Sequence, residues 1–514
     1  MEKDNFNKWP NKKNNLFIIN DLTEKEILDV IIETSKKVIH FLKSNEDIAT
    51  INSHINPNKI IWDLSIWEFP LEGDRKIINK SIDTILWESK VPNFSSPNYF
   101  WHMLPPTTIY SLASSNIAHI LNQNVIAQEV SPAFTQMENV VVSYLSDLIW
   151  YDINEAWWSI VSWWTTANHT ALLVARNKIL PWVTELWIEE SLKDYNIKNK
   201  TSYKKTVMLY WEDSHYSIEK LWWYIWMWSK NMLKIPYKKW THIIDLDKLK
   251  IMIEECEKNG ELIASIIITA WTTEKWHVQD IKWVNEIAKI WQNNRPIHLH
   301  VDAAHWWGYL VNDKLKETIF QWIEEADSVT IDWHKMLYTN YSCWGIIFKD
   351  KQSMDYIKHS ADYVIPKDSE DDNHWANTIE WSRWASWIYQ LYANLHWIWK
   401  EWYKELINKS LENKEYLLKK LKEKKSKYEI LSPEAELNLV CFRYKNEWKN
   451  ESELNEINNQ LKKALDNDWT YFVSTTTIDK KETLRLVFMN PKTEKENIDG
   501  FLNKVSDILK TITN

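Results

Sequence analysis

The chain has 514 residues and a formal net charge of −9, which gives no electrostatic reason to expect a nucleic-acid partner. Three scattered cysteines (Cys256, Cys343, Cys441) make neither a disulfide framework nor a metal pattern. The start lacks the basic-then-apolar layout of a signal peptide and no run of about 18 apolar residues occurs, so a cytoplasmic chain with no membrane partner is expected.

One count does not fit an ordinary α/β protein: 36 Trp against 5 Gly. Average usage puts glycine near ~7%, and left-handed turn positions need it. The tryptophans stand where glycine belongs, as in Ser162-Trp163-Trp164-Thr165-Thr166, His305-Trp306-Trp307-Gly308 and Cys343-Trp344-Gly345. Together the two residue types make about the glycine content of a normal chain plus a few genuine tryptophans. The expectation is that most of these Trp are UGA codons that the source organism translates as glycine, a reassignment some bacterial lineages use.

In chain order, residues 1–95 form an N-terminal helical segment, with helical periodicity over Glu24 to Leu42. Ser95-Ser96-Pro97 marks a break. A domain of residues 96–385 then opens with helices over Thr107 to Leu121 and Pro132 to Leu148. From about residue 157 strands alternate with helices, the sign of a parallel sheet with crossover helices. Ser159 to Ser162 leads into Trp163-Trp164-Thr165-Thr166 and a helix over Ala167 to Lys178. Read with glycines, that loop offers bare backbone N–H groups and a positive helix end to a phosphate.

Further strands are expected at Thr206 to Tyr210, Leu262 to Thr269, Pro296 to Val301 and Ser328 to Ile331. They end respectively near His215, at Thr272-Thr273, at Asp302-Ala303-Ala304-His305, and at Asp332-Trp333-His334-Lys335. Polar residues thus gather at the carboxyl ends of successive strands, where open α/β sheets place their ligands. Gly345 to Lys349 reads as another strand. Asp362 to Asn377 reads as an exposed acidic loop. Residues 386–514 mix helices with short strands (Leu437 to Arg443, Thr483 to Met489) and read as a small α+β domain.

Two chemistries compete for these residues. At strand period His298, His300 and Asp302 share a face and could hold zinc, similar to the His-x-His-x-Asp motif of metallo-β-lactamase-like hydrolases. That reading leaves Lys335 and the phosphate loop without a task, and Ala303 and Ala304 replace the Asp-His with which the motif continues. The other reading uses all of them. A buried Asp can pair with a protonated pyridine nitrogen, and a lysine about 30 residues on can supply the amine that pyridoxal phosphate requires.

Over about residues 95–490 the chain resembles the pyridoxal-phosphate-dependent decarboxylases of the glutamate, tyrosine and aromatic-L-amino-acid group. The match lies in Asn122-Gln123-Asn124 through Ser131-Pro132-Ala133, Glu138, Ser162-Trp163-Trp164-Thr165, Asp213-Ser214-His215, Thr272-Thr273, His300-Val301-Asp302-Ala303-Ala304, Asp332-Trp333-His334-Lys335 and Phe488-Met489-Asn490-Pro491. Nearly every family glycine falls on a Trp.

The resemblance implies an α/β fold of aspartate-aminotransferase type (fold type I) and a small-molecule amino-acid substrate. An aromatic acid such as tyrosine is preferred, then glutamate or aspartate. It further implies that Lys335 attaches the cofactor, that Asp302 keeps its ring nitrogen protonated, and that His215 covers a ring face. Thr273 and Ala304 would lie near the ring, while Trp164, Thr165 and His334 would hold the phosphate. Tyr363, 28 residues after Lys335, would be a proton donor on a mobile loop. The family is homodimeric. Trp333 stands where family members usually carry Pro. A sphingosine-phosphate-lyase-like enzyme or an aminotransferase would share Lys335, Asp302 and His215, so those outcomes stay open at this point.

Overall fold

The structure, a computed structural model, describes residues 24–51, 81–88, 91–238, 243–270, 281–290, 297–305, 307–318, 320–359, 378–398, 400–433 and 437–513. Thr273 and Tyr363, with the acidic stretch around Asp368, lie outside the described residues. The chain divides into two compact units, one of residues 103–414 with 432–439, the other of 1–102, 415–431 and 440–514. The first of these takes in most of the segment read as residues 96–385, while the N-terminal segment falls in the same unit as the C-terminal lobe.

The larger unit is built on a seven-stranded sheet. In chain order its strands are β1 (Trp157–Val161), β2 (Lys205–Trp211), β3 (Met232–Ile235), β4 (Glu261–Thr269), β5 (His298–Asp302), β6 (Ser328–Asp332) and β7 (Trp344–Phe348). Their order across the sheet is β1-β7-β6-β5-β4-β2-β3. The pairs from β6 through β5, β4 and β2 to β3 are parallel, and β7 runs antiparallel to both its neighbours. Strands β4 to β7 are buried almost throughout, as strands covered on both faces are; β4 and β7 are mainly apolar, while β5 and β6 bury His298, His300, Asp302, Ser328 and Asp332.

Helix α1 (Ile109–Leu121) is capped by the Thr108 side chain, and α2 (Pro132–Leu148) starts with proline in its first turn. Helix α3 (Trp164–Ile179) follows β1 directly and packs its buried side, including Ala167, Ala171 and Val174, against Trp344, Ile346 and Phe348. Helix α4 (Ala385–Trp397) packs on α1 and α2. A buried ion pair between Arg383 and Glu138, with Arg383 Nη2 also donating to Val125 O at 3.1 Å, ties the start of α4 to α2.

The smaller unit carries a five-stranded sheet in the order Tyr428–Ile430, Leu439–Tyr444, Lys481–Val487, Phe472–Ile478, Tyr99–Phe100. Helices Glu451–Asp468 and Lys495–Thr513 bury Leu461, Phe501, Leu502 and Val505 with Phe442, Leu484 and Leu486 of that sheet. Asn450 and Glu453 close a capping box at the first of them. Its other end is capped by Trp469 at φ 66°, a left-handed position normally given to glycine. Trp150, Trp226 and Trp322 also have positive φ, of 60°, 57° and 73°. Each such residue costs about 1–2 kcal/mol when it carries a Cβ.

Candidate active site

Strand alternation puts His298, His300 and Asp302 of β5 on one side of the sheet, with Asp302 at its carboxyl end. On the neighbouring strand β6 the carboxyl end is Asp332, and the turn after it carries His334 and Lys335, all buried. Lys335 Nζ lies 2.6 Å from Asp332 Oδ2. Burial raises the Asp332 pKa to about 7 although Lys335 pulls it down. Burial likewise raises Asp302 to about 6, against hydrogen bonds from Asn168, the Ala304 N–H and Trp164 and the charge of Lys335. The Ala304 N–H donates to Asp302 Oδ1 at 3.2 Å.

The first residue of α3 projects into this space. The Trp164 indole N–H donates to Asp302 Oδ2 at 2.9 Å. One face of the indole lies against the His215 ring, with centroids 3.8 Å apart and planes inclined by 30°. Lys335 Nζ sits 4.8 Å from the indole centre. His215 caps a short helical turn: its Nδ1 accepts from the Ser217 N–H at 3.2 Å and lies 2.9 Å from Ser217 Oγ. Burial, then the charges of Lys335 and Lys220, push the His215 pKa down to about 3, so its ring is neutral at ordinary pH.

At the N-terminus of α3 Trp163 stacks on Trp344 at 5.7 Å, and His334 meets Trp344 edge-on at 4.7 Å. His334 Nδ1 lies 3.2 Å from Cys343 O, and burial lowers the imidazole pKa to about 3. Thr165 is the second residue of the helix, half-buried. On the other side of the loop the Ser162 N–H donates to Glu380 Oε2 at 2.7 Å, and the Ser162 hydroxyl pairs with Glu380 Oε1.

Lys335, Asp302 and His215 are therefore brought together around one flat ring, Ala304 bonds to Asp302 through its N–H, and His334 and Thr165 stand near the helix end beside it. Thr273 and Tyr363 lie outside the described residues. Sequence reasoning missed Asn168, one helical turn after Trp164 and hence on the same face of α3, whose amide donates to Asp302 Oδ2 at 3.1 Å. It also missed Asp332 as the partner of Lys335. The zinc reading of His298, His300 and Asp302 does not hold, because the rings are committed elsewhere. His298 Nε2 and His300 Nδ1 both face Ser328 Oγ, and the Asn168 amide stands between His300 and Asp302. Among the described residues no group is arranged to hold a metal ion, and no helix is long and apolar enough to cross a membrane.

The ring at the centre also tests how well these residues suit pyridoxal phosphate. Asp302, His215 and Lys335 hold an aromatic N–H ring by its nitrogen, its face and an amine, which are the contacts a protonated pyridine with an aldehyde would make. The three side chains fit the cofactor. The Trp164 indole fills the space between these three groups.

Residues 67–445 match the family model described as the pyridoxal-dependent decarboxylase conserved domain. The chain belongs to this family, and it is a pyridoxal-phosphate-dependent carboxy-lyase that acts on an amino acid. It is 28% identical over 465 residues to an aspartate 1-decarboxylase of Aliivibrio fischeri, covering 83% of this chain and 82% of that protein. It is 29% identical over 384 residues to an L-tyrosine/L-aspartate decarboxylase of Methanocaldococcus jannaschii, covering 72% and 82%. Among solved structures, Catharanthus roseus tryptophan decarboxylase in complex with L-tryptophan superposes with a TM-score of 0.82 at 18% identity, over 96% of this chain and 99% of that one. That likeness carries the fold, aspartate-aminotransferase-like with a mainly parallel sheet, as the resemblance implied.

Proposed function

We propose that the substrate is L-tyrosine or, next, L-aspartate, and that the cofactor sits where the Trp164 indole lies, residue 164 being glycine in the protein as its organism translates it. The observation that carries this reading is the grip of Asp302, His215 and Lys335 on one ring. The substrate choice is supported by the Methanocaldococcus jannaschii relative, named for both acids, and by the Aliivibrio fischeri relative, named for aspartate.

Bound pyridoxal phosphate supplies an electron sink for the pair left at Cα when carbon dioxide departs. The chain's own residues do the rest. The Lys335 amine is the group that would hold the cofactor by its aldehyde. Asp332, 2.6 Å from Lys335 Nζ, would accept a hydrogen bond from that amine whenever it is free and protonated. Asp302 holds a proton at the ring nitrogen, and neutral His215 covers one ring face without adding a charge there. Thr165, the backbone at residue 164 and His334 bind the phosphate at the start of α3. Tyr363, outside the described residues, is assigned the delivery of a proton to Cα. The same reading takes the chain as a cytoplasmic homodimer, which light scattering checks.

The experiment is carbon dioxide release by the glycine-coded protein, the form in which every UGA-specified tryptophan is glycine. It is loaded with pyridoxal phosphate and offered tyrosine, aspartate, glutamate and 2,4-diaminobutyrate. The expected result is kcat/KM at least ~10-fold higher for tyrosine or aspartate than for the other two. A preference for glutamate or diaminobutyrate overturns the substrate assignment.

A further inference from the structure

Behind Asp302 runs a buried row of polar side chains that none of these roles employs. Asn168 Nδ2 donates to Asp302 Oδ2 at 3.1 Å, and Asn168 Oδ1 lies 3.0 Å from His300 Nε2. His300 Nδ1 is 2.9 Å from Ser328 Oγ, which is itself 2.8 Å from His298 Nε2. Asn168, His300 and Ser328 are fully buried and His298 is 4% exposed, so bulk water does not complete these bonds. Such a row is costly to bury unless its members bond one another, and at its far end His298 Nδ1 has no hydrogen-bond partner among the described residues.

The hydrogens can be assigned from the acceptor end. A carboxylate oxygen only accepts, so the NH₂ of Asn168 faces Asp302 and its carbonyl faces His300. A carbonyl also only accepts, so His300 carries its hydrogen on Nε2. Burial pushes His300 and His298 down to about 3 and about 4, which leaves each ring neutral with a single N–H. His300 Nδ1 is then bare and accepts from the Ser328 hydroxyl, whose oxygen accepts from His298 Nε2–H. With this assignment every side-chain donor in the row points towards Asp302; the Ser328 carbonyl, which also faces the His300 ring, makes the His300 tautomer the point to test.

We propose that Asn168, His300, Ser328 and His298 form a positioning row that orients the Asp302 carboxylate and keeps it ionised, so that the proton shared with the cofactor's ring nitrogen stays on the ring. The aligned donors oppose the cost of burying the carboxylate, and the Asn168 and Ala304 bonds fix both of its oxygens. His300 acts only through Asn168 and touches no reacting atom. The proposal rests on the role given to Asp302 above.

Two measurements test it. In the cofactor-free glycine-coded protein, ¹⁵N NMR of labelled histidine should find His300 neutral with its hydrogen on Nε2. A hydrogen on Nδ1 would reverse the row and overturn the proposal. The second measurement adds pyridoxal phosphate labelled with ¹⁵N in the ring. Asn168→Leu and His300→Phe should still attach it at Lys335, with affinity lowered about 10- to 100-fold and the ring-nitrogen shift moved towards the unprotonated form. Ser328→Ala and His298→Leu should move it less, in that order, and His300→Gln, which keeps an N–H donor, should restore much of the parent shift. If the variants lose only thermal stability while ring shift and affinity stay at parent values, the row is structural and the proposal fails. A parent protein that takes up no cofactor would instead sink the underlying reading of the site.

Discussion

The Trp164 indole and the Asp302 carboxylate meet through a 2.9 Å hydrogen bond at the carboxyl end of β5. A ring that carries its own N–H has settled where a carboxylate, an imidazole face and an amine converge. On the proposed reading, the cofactor ring belongs in this place and residue 164 is glycine.

The coding prediction follows directly. The codons for Trp163, Trp164, Trp306 and Trp344 are UGA, and mass spectrometry of protein from its own organism finds glycine at each. The positive-φ residues Trp150, Trp226, Trp322 and Trp469 belong to the same set. So do Trp211 and Trp333, whose indole N–H groups are buried with no hydrogen-bond partner among the described residues. Each unmet donor of that kind costs about 1–3 kcal/mol. UGG codons at these sites would refute the assignment.

Replacing Trp164 alone should expose the site. In protein made with literal tryptophans, Trp164→Gly removes the ring that competes for Asp302, His215 and Lys335. Uptake of pyridoxal phosphate, followed by absorbance, should be undetectable before the change and present after it. Adding Asp302→Ala to Trp164→Gly should weaken that uptake by at least ~10-fold, since a charge-assisted bond to the ring is lost. Equal uptake by the literal Trp164 protein would show that the indole does not stand in the cofactor's place.

Stability of the cofactor-free protein should fall in mild acid. Burial holds His298 near 4 and His300 and His334 near 3, and lowers His102 and His169 to about 4. The unfolded chain protonates these rings below about 6.5, so their contribution is intact above that pH and is lost as pH falls towards 4. Asp302 and Asp332, raised to about 6 and about 7, act oppositely: their contribution is intact below about 4 and lost as pH rises through 6 to 7. The histidines outnumber the carboxylates, so the melting temperature should drop between pH 6.5 and 4.5, each uncompensated proton weighing about 1.4 kcal/mol per pH unit. A melting temperature that holds or rises at pH 5 would show that the carboxylates dominate.

Tyr363 is proposed as the Cα proton donor. Tyr363→Phe should bind cofactor and substrate and release carbon dioxide, yet give less amine and, in air, aldehyde with ammonia. An unchanged amine yield would leave Tyr363 as an ordinary aromatic of its loop.

Much of this architecture was legible in the chain. Pro132 to Leu148 reads as a helix with those bounds because proline opens it and the apolar residues keep helical spacing. The buried strands announce themselves as short apolar runs ending in polar residues, so Asp302 and Lys335 were visible as a pair. The row behind Asp302 was not, since Asn168 and His300 are 132 residues apart and only the sheet brings α3 over β5. The pairing of Tyr99–Phe100 with Phe472–Val473 was hidden for the same reason, being a two-residue contact across most of the chain. His298 and His300 looked like ligands because alternation reports a shared face but not which hydroxyl lies between the rings.

The most direct test of the whole account is borohydride reduction of the glycine-coded protein after pyridoxal phosphate is added. Peptide mass spectrometry should find the phosphopyridoxyl group on Lys335, and visible absorbance should disappear as the link is reduced. Lys335→Ala should abolish both the label and decarboxylation. A label on another lysine, or none in protein that is folded and carries glycine at 163 and 164, would contradict it.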